Sequence, residues 1–337
     1  MRFPKFLQKN NTIGLASPSF GISDDPYFSR YNSAKEFLNN EGYQLIETAS
    51  AYKLENAESN DEKTRASELM ELYFNNNVDF IFSNAGGELM VEILPYLDFD
   101  KIRESEPKFF MGYSDNTNFT FTITTICDIA SIYGPHTPSF GMRPIDDSTL
   151  DAYSLVKGEK LKFNSYPYYQ DRSLELELLP LENYPSTIPV FWDTINNTSF
   201  EGRIIGGCLD CLLNLVGTKY DNVKNFTEKY KNDGIIWYLE GCELNSLATK
   251  RGLWLLKENG WFKYVKGFIF GRPLNTETPF DVSYKDAVYD ILDEYNVPIV
   301  LNSCIGHVSP SIPIINGSYA KVAVNQGFGT IEMILKD

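Results

Sequence analysis

The 337-residue chain has only two histidines, His136 and His307, so any chemistry that needs an imidazole is confined to those two positions. Cysteine is almost as scarce. Cys127, Cys208, Cys211, Cys242 and Cys304 are odd in number and scattered, which excludes a secreted disulfide scaffold and suits a reducing compartment. Cys208 and Cys211 form a C-x-x-C pair in GGCLDCLLNL, but no second pair or nearby histidine closes a zinc site. They read as small apolar residues at the start of an apolar helix. Positive charge is also short: 30 Lys and Arg against 45 Asp and Glu leave a net charge of -15. Such a surface stays solvated and repels phosphate backbones and anionic membranes, which argues against nucleic-acid and membrane partners. The opening MRFPKFLQKNNTIGLASPSF has no apolar run of the roughly 7–15 residues found in a secretory signal. No window approaches the roughly 18 apolar residues of a membrane span. A soluble cytoplasmic protein is expected, and neither an internal repeat nor a low-complexity tract complicates it.

What is present is material for a large core, since 43% of residues are hydrophobic and 14% aromatic. The length exceeds the roughly 100–200 residues of a usual single domain, so two domains are expected. The first half alternates short apolar runs with helical periodicity. TIGLASPS (12–19), YQLIET (43–48), VDFIFSN (78–84), KFFMGYS (108–114) and SIYGP (131–135) read as strands. Between them, 27–40 carries Tyr27, Tyr31, Ala34, Phe37 and Leu38 on one face, and a second helix carries Ala66, Leu69, Met70 and Tyr73. GGELMVEILPYL (86–97) and TNFTFTITTICDI (117–129) read as two more helices. Strands alternating with helices predict a doubly wound parallel sheet over 1–157, with its site at the strands' carboxyl ends. Periodicity fails over 158–195, which reads as a connecting segment. Over 196–337, the runs FEGRIIGG, GIIWYLE, VKGFIFG, PIVLNSCIGH and KVAVNQGFGTIEMIL predict a mixed, β-rich α+β domain, with the active site in the cleft between the two.

Gly112-Tyr113-Ser114-Asp115 follows an apolar run and precedes a Thr-rich helix, the strand-turn-helix setting of a nucleophile elbow. Such a turn presents the Ser114 hydroxyl and puts the Asp115 N–H where an oxyanion develops. Asn116 stands where the last Gly of G-x-S-x-G would be, and Ser114 capping the helix is an equal reading of these residues alone. A serine nucleophile needs a base and an orienting acid. His136, in YGPHTP, and His307, in SCIGHVS, both follow strands and stay equal candidates. Glu240 ends the apolar run GIIWYL, a costly place for an unpartnered carboxylate, or it simply marks the strand end. Glu243 is more easily solvated. Gly86-Gly87, expected at a helix start, lets the backbone approach a ligand and offers N–H groups to an anion, but lacks the G-x-G-x-x-G of a nucleotide-cofactor site.

SNAGG (83–87), MGYSD (111–115), WYLE (237–240) and GH (306–307), in that order, resemble the LD-carboxypeptidase family of serine peptidases. GRIIGGCLDCLLNLVGTKY (202–220) is similar to its microcin C immunity branch. The resemblance runs from IGLASPS to the closing strands and is weakest over about 158–195. It implies Ser114 as nucleophile, Glu240 as triad acid and His307 as base, leaves His136 without a triad role, and implies an oxyanion hole from the backbone of Gly87 and Asp115. It implies no metal or cofactor. The substrates it implies are small peptides or peptidyl-nucleotides: microcin C-like aminoacyl-nucleotides cut in self-immunity, or cell-wall muropeptides cut before a terminal D-alanine. Cys208 stands where this family often has Asn, and Gly241 where an acidic or hydroxyl residue is common. Neither touches the triad, and both are expected to line the pocket, as are Gly86 and Glu243. A non-catalytic two-lobed binding protein is the rival from another class, and a homodimer is the default assembly.

Overall fold

The computed structural model describes residues 1–172, 178–183 and 185–337; part of the expected connecting segment, at 173–177 and 184, lies outside the described residues. Two sheets carry the architecture. In the first, the strands run in the spatial order Ile314–Asn316, Ser131–Tyr133, Phe109–Met111, Phe80–Ser83, Thr12–Ala16 and Gln44–Glu47. The last five are parallel, and their central members are buried throughout, as a sheet covered on both faces requires. This is a doubly wound order. Ile314–Asn316 returns from the far end of the chain and pairs antiparallel with Ser131–Tyr133. The second sheet has the order Ile299–Ser303, Val265–Gly271, Ile235–Glu240, Thr198–Cys208, Tyr319–Asn325, Phe328–Ile334 and Lys162–Asn164. Its first four strands are parallel and the rest antiparallel.

Lys162–Asn164 comes from the stretch where periodicity fails. The same stretch supplies a separate two-stranded ribbon, Tyr168–Gln170 with Ser186–Pro189. Strands of three or four residues show too few alternations to stand out in a sequence.

Helix Tyr27–Asn40 buries Tyr31, Ala34 and Leu38, but Tyr27 is 58% exposed and borders the main cavity rather than the core. The helix expected over 86–97 does not form. After Ser83 the chain continues without helix to Leu89, and only a 3₁₀ segment follows, Met90–Tyr96. Pro95 lies inside that segment and can neither donate its missing N–H nor avoid the carbonyl four residues back in an α-helix. The Met90 N–H is also taken, by the Asp115 carboxylate at 2.8 Å.

Helix Glu62–Phe74 starts on Asp61, whose side chain accepts from the Lys63 and Thr64 N–H groups. It places Arg65, 1% exposed, against two site loops. Arg65 donates to the carbonyls of Pro18 (3.2 Å) and Leu89 (3.0 Å) and pairs with Glu58 and Glu92, each at 3.2 Å. Removing a buried cation strands several acceptors at once. Arg65→Ala is therefore expected to lower unfolding stability by roughly 2–4 kcal/mol. In urea titration the midpoint should fall with little change in slope; an unmoved midpoint would show that the loops hold without it.

No helix among the described residues is long and apolar enough to cross a membrane.

Candidate functional site

The parallel strands of both sheets end at one place. Ser114 follows Phe109–Met111 and opens a 3₁₀ turn, Ser114–Asn116, that runs directly into helix Thr117–Cys127. Its φ is +61°, a left-handed conformation that a non-glycine residue adopts sparingly and that active sites retain. Asn116 at the end of that turn is buried, with its amide donating to the Ala85 carbonyl at 2.8 Å. The missing Gly of the elbow is thus replaced by a side chain that ties the turn to the adjacent loop.

Glu240 ends the strand Ile235–Glu240 and is 1% exposed; His307 follows the strand Ile299–Ser303. The structure brings these three together. His307 Nε2 lies 2.9 Å from Ser114 Oγ, and His307 Nδ1 lies 2.7 Å from Glu240 Oε2. Gly306, at φ +97°, lets the chain pass so near Glu240 that a Cβ would sit 2.4 Å from Oε2, which explains the Gly before the His.

Burial disfavours the charged form of His307, but the Glu240 charge, with hydrogen bonding of the imidazole to Cys242 and Glu240, outweighs it and holds the imidazole pKa well above its usual value. Burial likewise pushes Glu240 upward, yet His307 beside it and hydrogen bonds from His307, Tyr133 and Cys208 keep its carboxyl below the usual range. A buried carboxylate and imidazole stabilise each other's charges.

Gly86 and Gly87 flank the serine, but as an extended loop and not as a helix start. A Cβ on Gly86 would lie 3.1 Å from Ser114 Cβ and 3.2 Å from its Oγ. Gly87 has φ +146°, and a Cβ there would meet Ser19 Oγ at 2.2 Å. Both positions therefore need glycine for the backbone to reach the nucleophile.

Asp115, named in the sequence for its N–H, contributes a buried carboxylate as well. It accepts from Ser19 Oγ (2.5 Å), the Met90 N–H (2.8 Å) and Asn118 Nδ2 (2.8 Å), and desolvation raises its pKa. This side chain ties the serine turn to the Gly86–Gly87 loop.

Three sequence expectations for the pocket need correction. Cys208 does not line the cavity. It is 1% exposed, lies opposite Glu240 across adjacent strands, and its thiol donates to the Asp210 carboxylate at 3.5 Å. Gly241 does not line the cavity either; it is buried. Glu243 is exposed and away from the cavity wall, its N–H donating to Asp210 at 2.9 Å. Cys242 takes their place, lining the cavity together with His307. The available signal was its position two residues beyond a strand-ending Glu.

His136 is packed behind Tyr113, with ring centroids 4.3 Å apart and its Nε2 3.1 Å from the Tyr113 carbonyl. Burial pushes its pKa well below the imidazole range, so it stays neutral.

The residue that sequence reasoning missed is Tyr133. It ends the strand Ser131–Tyr133 and reads as one more core aromatic, yet its hydroxyl lies 2.5 Å from Glu240 Oε1 and accepts from the Ser114 N–H at 3.2 Å.

The site opens into a cavity of about 990 Å³ whose walls include Gly86, Gly87, Ser114, Cys242 and His307. Arg30 and Arg172 bring positive charge to it, and Asp24, Asp25 and Glu88 negative charge.

Fold and site together define a serine hydrolase of two-sheet α/β architecture. The pattern of the LD-carboxypeptidase N-terminal domain matches residues 13–134, and that of the LD-carboxypeptidase C-terminal domain matches residues 201–322. The chain belongs to the LD-carboxypeptidase family of serine peptidases. It is 29% identical over 324 residues to a protein of Vibrio cholerae named as a carboxypeptidase, covering 91% of each chain. It is 26% identical over 326 residues to the microcin C7 self-immunity protein MccF of Escherichia coli, covering 91% of this chain and 89% of that one. The crystal structure of an MccF-like protein from Bacillus anthracis superposes with a TM-score of 0.83 at 26% identity, covering 100% of both chains.

Proposed function

We propose that Ser114, His307 and Glu240 form the catalytic triad of an amide hydrolase that cleaves microcin C-like aminoacyl-nucleotide conjugates, a detoxifying self-immunity activity. The observation that carries the reaction is the continuous hydrogen-bonded line from Ser114 through His307 to Glu240 at the wall of a cavity. Neutral His307 accepts the Ser114 proton as Oγ attacks the amide carbonyl, forming the tetrahedral oxyanion. The backbone N–H groups of Gly87 and Asp115 hold that oxyanion. Glu240 keeps the imidazole in the tautomer with a proton on Nδ1 and stabilises the imidazolium that forms. The imidazolium then returns its proton to the leaving nitrogen, and water hydrolyses the acyl-enzyme by the same steps.

For the substrate, similarity to the self-immunity protein over 91% of the chain supports the aminoacyl-nucleotide. The cavity volume of about 990 Å³ suits a ligand of that size. Desolvation and the like charges of Glu243, Asp115 and Asp210 raise the pKa of Glu88, so a substrate ammonium placed there would relieve repulsion. The family match itself favours a second reading, hydrolysis of muropeptides before a terminal D-alanine. Turnover of an aspartyl sulfamoyl-adenylate and of a muropeptide tetrapeptide, measured side by side, separates the two. The expected result is faster turnover of the aminoacyl-nucleotide, and turnover of the muropeptide alone would reverse the assignment.

A further inference from the structure

We infer that Tyr133 is a positioning residue that closes a ring of hydrogen bonds through the reacting serine. The ring runs from the Ser114 N–H to the Tyr133 hydroxyl (3.2 Å), from that hydroxyl to Glu240 Oε1 (2.5 Å), from Glu240 Oε2 to His307 Nδ1 (2.7 Å) and from His307 Nε2 back to Ser114 Oγ (2.9 Å). The inference rests on the hydrolase reading above and adds to it the device that holds the three groups in register.

Each end of the Tyr133 contact has a separate consequence. Toward the acid, a carboxylate that is 1% exposed has two oxygens to satisfy, and only Oε2 faces the imidazole. The phenol occupies Oε1 and so fixes the rotation of the carboxylate that aims Oε2 at Nδ1. Burial, and next the Glu240 charge, hold the phenol far above its ordinary pKa. It therefore remains a protonated donor.

Toward the nucleophile, the same oxygen accepts from the backbone N–H of a residue held at φ +61°. That bond offsets part of the strain of the elbow, and it couples the conformation that exposes Oγ to the orientation of the acid. Strand placement makes this possible. Ser131–Tyr133 is the immediate neighbour of the strand that launches Ser114, and the Tyr133 ring packs 5.5 Å from Tyr238, two residues before Glu240 on the other sheet. Tyr133 is 1% exposed and absent from the cavity wall, so it acts through Glu240 and Ser114 and not on substrate.

The test is Tyr133→Phe, which keeps the ring and removes one oxygen. Sites competent to react are counted by fluorophosphonate labelling of Ser114, so that a loss of folded protein is not read as a loss of rate. Per labelled site, kcat is expected to fall about 10- to 100-fold with KM within about twofold, because the lost contact positions the reacting groups and not the substrate. The acid-side midpoint of the kcat/KM profile should move downward as Glu240 loses its hold on His307.

The same movement is readable without substrate. The chain has only two histidines, so an NMR titration of isotope-labelled histidine resolves His307 directly. An unchanged kcat per labelled site, or a His307 midpoint that stays put or rises, overturns the inference. Should Tyr133→Phe fail to fold, 3-fluorotyrosine placed at position 133 perturbs the same contact through a more acidic phenol, and an unmoved His307 titration there overturns it equally. Wild-type protein that neither labels at Ser114 nor turns over any amide would instead remove the hydrolase reading itself, a result distinct from all of these.

Discussion

Ser114→Ala is expected to reduce amide hydrolysis by at least about a thousandfold in kcat/KM, a loss of roughly 4 kcal/mol in transition-state stabilisation. The size follows from what the hydroxyl does. Without Oγ no acyl-enzyme forms, and the remaining oxyanion donors and binding contacts can only assist direct attack by water. The fold should tolerate the change, since the +61° backbone at this position is held by the Tyr133 hydroxyl and the Asn116 amide, neither of which needs Oγ. Unfolding midpoints should therefore match wild type within error while turnover collapses. Rates in the variant within tenfold of wild type would eliminate Ser114 as nucleophile and return attention to a binding role for the cavity.

Glu240→Gln should cost about a thousandfold, for a different reason. The amide can still meet His307 Nδ1, but it no longer stabilises the imidazolium and can favour the wrong tautomer. Its second signature is in the pH profile. In the wild type the Glu240 carboxylate holds the His307 pKa well above the ordinary imidazole value, so kcat/KM should rise with pH to a midpoint above about 6.5. Without that carboxylate the midpoint should drop.

Stability carries the same sign. A histidine whose folded pKa exceeds its unfolded value contributes stability that is fully present below about pH 6.5 and lost as pH rises through the folded value. Glu240→Gln should flatten that dependence. A wild-type acid limb centred below about 6.5, or one that Glu240→Gln leaves in place, would contradict the pairing.

The strands flanking the site were legible because each is a short apolar run ended by a chemically distinct residue. KFFMGYS, GIIWYLE and PIVLNSCIGH mark where the chain leaves the core, and chemistry-bearing side chains at such ends are expensive unless partnered. The 86–97 segment misled because its apolar spacing is helical while Pro95 and the Asp115 contact to Met90 override it. The pocket walls misled more. Cys208, Glu243 and Cys242 lie within reach of the same strand ends, and which of them faces the cavity depends on the pleat of each strand and on the turn beyond it. Cys208, inside a strand, is buried, whereas Cys242, just past one, lines the cavity.

The sequence alone determined the alternation of strands and helices, the acidic surface and the small set of groups able to do chemistry, because these depend on local pattern and residue type. Tertiary structure alone set His136 and His307 apart on physical grounds. The first is stacked under Tyr113 and stays neutral, and the second lies between a carboxylate and a hydroxyl. It also turned Tyr133 from a core aromatic into the link between Ser114 and Glu240. The four residues of the ring are separated by 19 to 193 positions along the chain. Contacts at that range are set by how two sheets pack and twist against each other, and no local periodicity records it.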